Sequence, residues 1–335
     1  MDINSKKVVI MMATYNGEKY IKEQIKSLQN QTFTNWELYI SDDSSTDKTV
    51  SILKQYQRTD QRIKKILINQ EYHGAFANYF HLMYYMKEKQ KNKFDYYFYC
   101  DQDDFWIKDK IYKQVLQMEK NKTKKPIFCY SDLEICDRNL KPQNDRMSNH
   151  ICTQYVKNPF NEFFKEQYVW GTSMAHDYKL WNLMPIPSEE TVKNNLPHDS
   201  YVAKFAALCA DLIYLNIPTV LYRRTGDNVT GTPHVYKGTM ILKRLFNFKK
   251  NIDNAASTYD SSRYVLEEIK KNFKLNTRIK DLDKCFNGNI LNSIAFFRKY
   301  GILRKERIFG RISTKFIFYS RIYKRSSNYH KLVKR

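Results

Sequence analysis

Three short acidic segments carry the side chains best suited to chemistry. In DYYFYCDQDDFW an apolar run ends in Asp101, Gln102, Asp103 and Asp104. Residues i and i+2 of an extended backbone point the same way, so Asp101 and Asp103 face one ligand while Gln102 turns aside. Two such carboxylates suit a hard divalent cation, Mg²⁺ or Mn²⁺, whose shell is completed by water and phosphate oxygens; a diphosphate is then bound without a glycine loop. Three acids on one strand end repel unless positive charge sits between them, although Asp104, beside Phe105 and Trp106, reads equally well as a solvated turn capping the next helix. SDDSSTDKTV adds Asp42, Asp43 and Asp47. Asp47 or Thr46 is most economically a helix N-cap, which leaves Asp43 freer to accept a hydrogen bond from a ligand. In PHDSYVAKFAAL, His198 and Asp199 open a helix, and taken alone Asp199 reads first as its cap. His176 and Asp177 open DYKLWNLM in the same way, and His73, His81, His150, His234 and His330 show no metal-ligand spacing.

Positioning these groups requires a sheet. Strands are expected at 8–13, 36–41, 65–68, 96–100 and 127–130, alternating with helices at 19–29, 47–57, 75–86 and 108–118. That order implies a largely parallel sheet covered by helices on both faces. In such sheets ligands gather beyond the carboxyl ends of the strands, where ATYNG, SDDSSTD and DQDD lie. From about residue 140 the pattern loosens; a helix is expected from Asp199 to about Leu208, then strands at 212–215 and 219–222. Beyond His234 the sequence is mostly helical, at 237–250, 255–273, about 289–299 and in a basic tail. The expected boundary is near 231–238, where Gly and Pro punctuate the chain.

Composition narrows the function classes. The 335 residues include 57 Lys and Arg against 35 Asp and Glu, and 42% are apolar. At roughly 150 residues per domain this suggests two structural units. Six cysteines occur without a C-x-x-C pair, which fits a reducing cytoplasm. The N-terminal VVIMMA is too short for a signal-peptide core, and no apolar stretch reaches the ~20 residues of a membrane span. Of the net +22, residues 1–235 hold 32 bases and 28 acids (+4), and residues 236–335 hold 25 and 7 (+18). No acid follows Glu306, while Arg307, Arg311, Lys315, Arg321, Lys324, Arg325, Lys331, Lys334 and Arg335 do, interleaved with Phe309, Phe316, Phe318, Tyr319 and Tyr323. Such a stretch seeks anions: an anionic membrane leaflet first, nucleic-acid phosphate last, with a solvated helical face as the plain alternative. No G-x-G, P-loop, G-x-S-x-G or H-E-x-x-H is present.

VVIMMATYNGEKYIKEQIKSLQNQTFTNWELYISDDSSTDKT, DQDDFW, WGTSMA, PHDSYVA and LYRRTGDNVTG, in that order from about Lys7 to about Pro233, resemble the family 2 glycosyltransferases of the GT-A fold, nearest to the bacterial rhamnosyltransferase-like subgroup. The resemblance implies an α/β fold, with a mixed, mostly parallel sheet between helices and a basic helical C-terminal extension. It implies a glycosyltransferase domain over 1–235, its donor half about 1–130 and its acceptor half about 131–235, followed by 236–335. By the same resemblance Ala13, Tyr15 and Asp43 line the nucleotide base pocket, assisted by Asn16 and Glu18. Asp101 contacts the ribose or helps hold the metal, and Asp103 is the metal ligand. Asp199 matches the catalytic base, and Trp170 and Gly171, with His198, match the acceptor side. Relatives commonly carry His after Tyr-Arg-Gln where this chain has Tyr222, Arg223, Arg224 and Thr225; water, Thr225 or Asp227 would then replace it, and Arg223 or Arg224 would meet phosphate.

The activity so implied is inverting, metal-dependent transfer of a sugar, rhamnose or another hexose, from a pyrimidine nucleoside-diphosphate sugar to a saccharide, lipid-linked in surface polysaccharide synthesis. The basic tail then holds the protein to the inner face of the cell membrane, and no nucleic-acid partner is expected. A sugar nucleotidyltransferase would open with a glycine-rich signature and a basic residue, which ATYNG lacks. A non-catalytic basic binding protein would leave DQDD unexplained.

Overall fold

The computed structural model describes residues 3–71, 73–90, 94–150, 158–164, 169–188, 192–194, 196–225, 247–303 and 308–333. The chain divides into two compact units, Met1–Asn149 with Val169–Asp199 and Cys209–Thr232, and His150–Tyr168 with Ser200–Leu208 and Pro233–Arg335. The stretches 150–168 and 200–208 thus group with the C-terminal helices, a division that one cut near residue 235 does not make.

In the first unit the order is β1 (Val8–Thr14), α1 (Ile21–Gln29), β2 (Trp36–Asp42), α2 (Thr49–Thr59), β3 (Ile63–Ile68), α3 (Ala75–Glu88), β4 (Tyr96–Cys100), β5 (Phe105–Trp106) and α4 (Lys110–Lys120). There follow β6 (Ile127–Cys136), β7 (Pro142–Arg146), β8 (Met174–Asp177), α5 (Tyr178–Leu183), α6 (His198–Cys209), which continues into the second unit, and β9 (Asp211–Arg223). Nine strands among the described residues form one mixed sheet in the order β3-β2-β1-β4-β8-β6-β9-β5, with β7 beside β6. The β3-β2-β1-β4 portion is parallel throughout. Val8–Met12 and all of β4 are buried, as continuous apolar runs require when both faces of a parallel sheet are covered. Ile21, Ile25 and Leu28 of α1 and Ile111, Val115 and Met118 of α4 recur at helical spacing on the buried sides. Asn78 of α3 joins the first two strands: its amide donates to the Thr14 and Ser41 carbonyls at 3.1 and 2.8 Å and accepts from the Ser41 hydroxyl at 2.6 Å.

Two strands expected at 212–215 and 219–222 are one, β9, whose register against β6 slips around Leu215, Pro218 and Val220. Proline cannot donate to a ladder and sits at such a bulge, so the sequence reads as interrupted. β7 and β8 were not expected, and β6 extends six residues beyond its anticipated end at Tyr130.

The second unit contains α7 (Phe248–Asn272), α8 (Thr277–Asn287), α9 (Ile290–Tyr300) and α10 (Ile308–Tyr319). The break expected between 250 and 255 is absent, because no Gly or Pro interrupts α7; residues 237–246 of the expected first helix lie outside the described residues. Its core is aromatic: Phe164 stacks on Phe286 at 5.4 Å, and Phe318 meets Tyr259 at 5.1 Å and Tyr323 at 5.8 Å. Phe318 and Tyr323 of the basic tail are therefore core residues, fully buried. Among the described residues no helix is long and apolar enough to cross a membrane.

Candidate active site

The register Met12↔Cys100, Ala13↔Ser41 and Thr14↔Asp42 brings the carboxyl ends of β1, β2 and β4 to one rim. Ala13 lies within β1, while Tyr15, Asp43 and Asp101 follow directly on their strands. Asp42 is internal, accepting from the Thr14 and Ser45 hydroxyls at 2.7 Å each. Asp43 is buried and more engaged than its sequence context suggests: Oδ1 meets Asn69 Nδ2 at 3.0 Å and His73 Nδ1 at 2.9 Å, and Oδ2 accepts from the Gly74 N–H at 2.7 Å. Tyr15 is 54% exposed, presenting its ring to solvent. Asn16 (φ 44°) and Glu18 tie the loop after β1 to the loop after β2, accepting from the Thr46 and Lys48 N–H groups at 2.9 Å each. Asp47 accepts from the Thr49 N–H at 2.9 Å, although the cap position itself is Lys48.

β4 stops at Cys100 and the chain bends at Gln102 and Asp103, so the extended geometry expected for DQDD is not what joins the two acids. Gln102 turns toward β1 and clasps Tyr15, its amide accepting from the Tyr15 N–H and donating to the Tyr15 carbonyl at 2.8 Å each. A Cβ on Gly17 would lie 2.3 Å from Gln102 Oε1, so this clasp needs glycine there. Tyr79 of α3 places its hydroxyl 2.6 Å from the Cys100 carbonyl and 2.8 Å from Asp101 Oδ1, sharing one proton between them. Burial, then the charges of Asp103 and Asp199, push the Asp101 carboxyl up to about 7, against the Tyr79 hydrogen bond. Asp103 is raised by lost solvation and partly relieved by Arg223.

Asp104 is no solvated cap. It is fully buried, accepts from the Arg223 N–H at 3.1 Å, and is raised far above the carboxylate range by burial and by Asp103 and Asp101. Arg223 is equally buried; its guanidinium donates to the carbonyls of Asp103 and Arg138 and to Glu23. Arg224 lies over the Tyr222 ring at 4.9 Å. Thr225 is buried, its carbonyl accepting from Arg138 Nε at 2.9 Å; Asp227 lies outside the described residues.

Asp199 is buried in the first turn of α6, inside the helix rather than ahead of it, and acts electrostatically on Asp101. His198 stacks on Tyr79 with ring centres 3.7 Å apart, so α3 touches both Asp101 and the start of α6. Burial pushes the His198 imidazole down to about 3, which keeps it neutral. Its Nε2 would lie 2.6 Å from a Cβ on Gly171, so only glycine fits beside the ring. Among the described residues neither His198 nitrogen nor Trp170 Nε1 has a hydrogen-bond partner, although all three atoms are buried. Asp177, in contrast, caps α5 by accepting from the Leu180 N–H at 3.0 Å. Tyr79, Gln102 and Glu23 complete the machinery around the acids and were not foreseen.

Among the described residues no three His, Cys, Asp or Glu side chains form a preformed metal cage. A Mg²⁺ or Mn²⁺ ion typically needs only one or two carboxylates when phosphate and water supply the rest. The charge of Asp103 raises the Asp101 carboxyl, an imbalance that such a cation relieves, so the residues present fit it.

The model of the family described as Glycosyl transferase family 2 matches residues 9–179. The dTDP-rhamnosyl transferase RfbG of Shigella flexneri is 28% identical over 306 residues, 86% of this chain and 93% of that protein. The UDP-Glc:alpha-D-GlcNAc-diphosphoundecaprenol beta-1,3-glucosyltransferase WfgD of Escherichia coli is 34% identical over 132 residues, 39% of this chain and 47% of that protein. Among solved structures, S. aureus TarS 1-349 in complex with UDP-GlcNAc superposes with a TM-score of 0.51 at 15% identity, covering 92% of this chain and 78% of TarS 1-349. At that identity the likeness shows the fold, which is GT-A.

Proposed function

The chain belongs to glycosyl transferase family 2, and on that premise we propose that it transfers a sugar, rhamnose first, from a pyrimidine nucleoside-diphosphate sugar to a lipid-linked saccharide acceptor in surface polysaccharide synthesis. The observation that carries this reading is that the charges of both Asp103 and Asp199 act on Asp101 at the rim of the sheet. The rhamnosyl choice follows the relative matched over most of both chains; UDP-glucose is the second donor to test, given the glucosyltransferase among the relatives.

Asp199 takes the proton from the acceptor hydroxyl while that oxygen bonds to the anomeric carbon. The bond from that carbon to the diphosphate oxygen breaks on the opposite side, which inverts the centre. Asp101 and Asp103 hold the divalent cation, which when bound supplies positive charge for the departing nucleoside diphosphate. Tyr79 fixes Asp101, and Arg223, buried and fully engaged, positions Asp103 and Asp104 rather than meeting phosphate. Arg224 remains the residue assigned to phosphate. Ala13, Tyr15 and Asp43 receive the base, with Asn16 and Glu18 setting the loop beneath it. Trp170, Gly171 and His198 form the acceptor side, where buried ring nitrogens without partners await a hydroxyl-bearing ligand. Residues 236–335 attach the protein to the cytoplasmic leaflet.

The test is calorimetry of dTDP- and UDP-sugars with and without Mg²⁺ or Mn²⁺, paired with turnover. Asp199→Asn should lower kcat by about 10²–10⁴-fold with nucleotide affinity nearly unchanged, and Asp103→Ala should abolish the metal-dependent part of binding. Normal turnover by Asp199→Asn moves the base elsewhere. No binding of any nucleotide sugar in any metal overturns the transferase reading.

A further inference from the structure

Helix α10 is apolar on two sides. One side is core, where Ile317 and Phe318 are 3% and 0% exposed. The other faces solvent: Ile308, Ile312 and Phe316 are 62%, 56% and 55% exposed. Their spacing of four residues lays them along one stripe of the helix. Phe248, at the start of α7 and 38% exposed, brings its ring centre to 6.5 Å from that of Phe316 and carries the stripe onto a second helix. Single exposed apolar side chains are ordinary, whereas a contiguous patch calls for a partner.

The border of the stripe is basic. Arg311 and Lys315 each follow a stripe residue by three positions and so share its surface. Lys249 and Lys250, both exposed, follow Phe248 directly. A second copy of the chain would set these like charges against one another, and a nucleic acid would use the charges but leave the aliphatic side chains in water. An anionic bilayer uses both, since apolar side chains enter the acyl boundary while Lys and Arg meet the headgroups.

We infer that Ile308, Ile312, Phe316 and Phe248 form the face that seats in an anionic membrane leaflet, with Arg311, Lys315, Lys249 and Lys250 around it. This rests on the membrane attachment proposed above and names its surface. The core aromatics of the tail, Phe318 and Tyr323, take no part.

The experiment is flotation of the full chain with phosphatidylglycerol–phosphatidylethanolamine vesicles and with phosphatidylcholine vesicles. It compares wild type, Ile312→Asp with Phe316→Asp, and Lys249→Glu with Lys250→Glu. Wild type should bind the anionic vesicles and the apolar variant should bind at least about tenfold more weakly. The charge variant should lose preference for anionic over neutral vesicles. All substituted side chains are at the surface, so circular dichroism and Tm should match wild type. Equal flotation of wild type and the apolar variant overturns this face while the membrane reading stands. Failure of wild type to float overturns both, and a dimer dispersed by Ile312→Asp with Phe316→Asp, without wild-type flotation, assigns the stripe to self-association.

Discussion

At the scale of single residues, the site depends on two places where a side chain occupies the space that a Cβ would fill. His198 lies against Gly171, and Gln102 lies against Gly17. The two contacts differ in what can give way. Gln102 is partly exposed and can swing out, whereas His198 is buried and stacked on Tyr79. Gly171→Ala is therefore expected to cost about 1–3 kcal/mol of stability and to raise the acceptor KM more than the donor KM, as denaturant titration and initial rates will show. The acids at the strand ends were legible in the sequence because chemistry marks them by type and place. Their supports were not: Tyr79 is 22 residues from Asp101, Gln102 is 87 from Tyr15, and Glu23 is 200 from Arg223. No local spacing encodes such pairs. The same blindness made Asp104 look like a cap, since only the return of β9 buries it.

At the scale of elements, β8 shows how a short strand sets the behaviour of a sheet. His176 packs beside Tyr97 and Trp181, which stack on each other at 4.6 Å, with its ring nearly parallel to theirs at 5.3 and 6.2 Å. Its Nδ1 donates to the Asp177 carbonyl at 3.0 Å, so Nε2 accepts from the Tyr99 hydroxyl, also at 3.0 Å. Burial pushes this imidazole down to about 4 from 6.5. Between those values the unfolded chain takes up a proton that the folded one refuses, so stability is fully present above pH 6.5 and falls as the pH drops toward 4, by about 3 kcal/mol at most. His176→Phe should flatten that slope in denaturation experiments across the window while lowering stability at pH 7, because the Tyr99 hydroxyl loses its acceptor. β1, β2 and β4 were legible as unbroken apolar runs between turn signals. β7, with the polar sequence PQNDR, and the four-residue β8 gave no such signal, and they exist because β6 offers them an edge.

At the scale of the whole molecule, strand order and chain order disagree. β8 lies between β4 and β6 in the sheet, yet 73 residues of chain separate the end of β4 at Cys100 from its first residue, Met174. At about 5–20 residues per second, synthesis leaves β4 without that neighbour for roughly 4–15 s. During that interval Tyr96–Cys100, apolar on both faces, is an open edge of a parallel sheet. Such an edge recruits other strands. Chains ended between β4 and β8 should therefore sediment as aggregates on expression, whereas the full chain stays dispersed; soluble, monomeric truncations would show that the edge is shielded some other way. The insertion of one late strand thus makes this protein a client for whatever guards nascent chains, and its yield in a cell will follow the pace of translation through residues 100–177 as much as the stability of the finished fold.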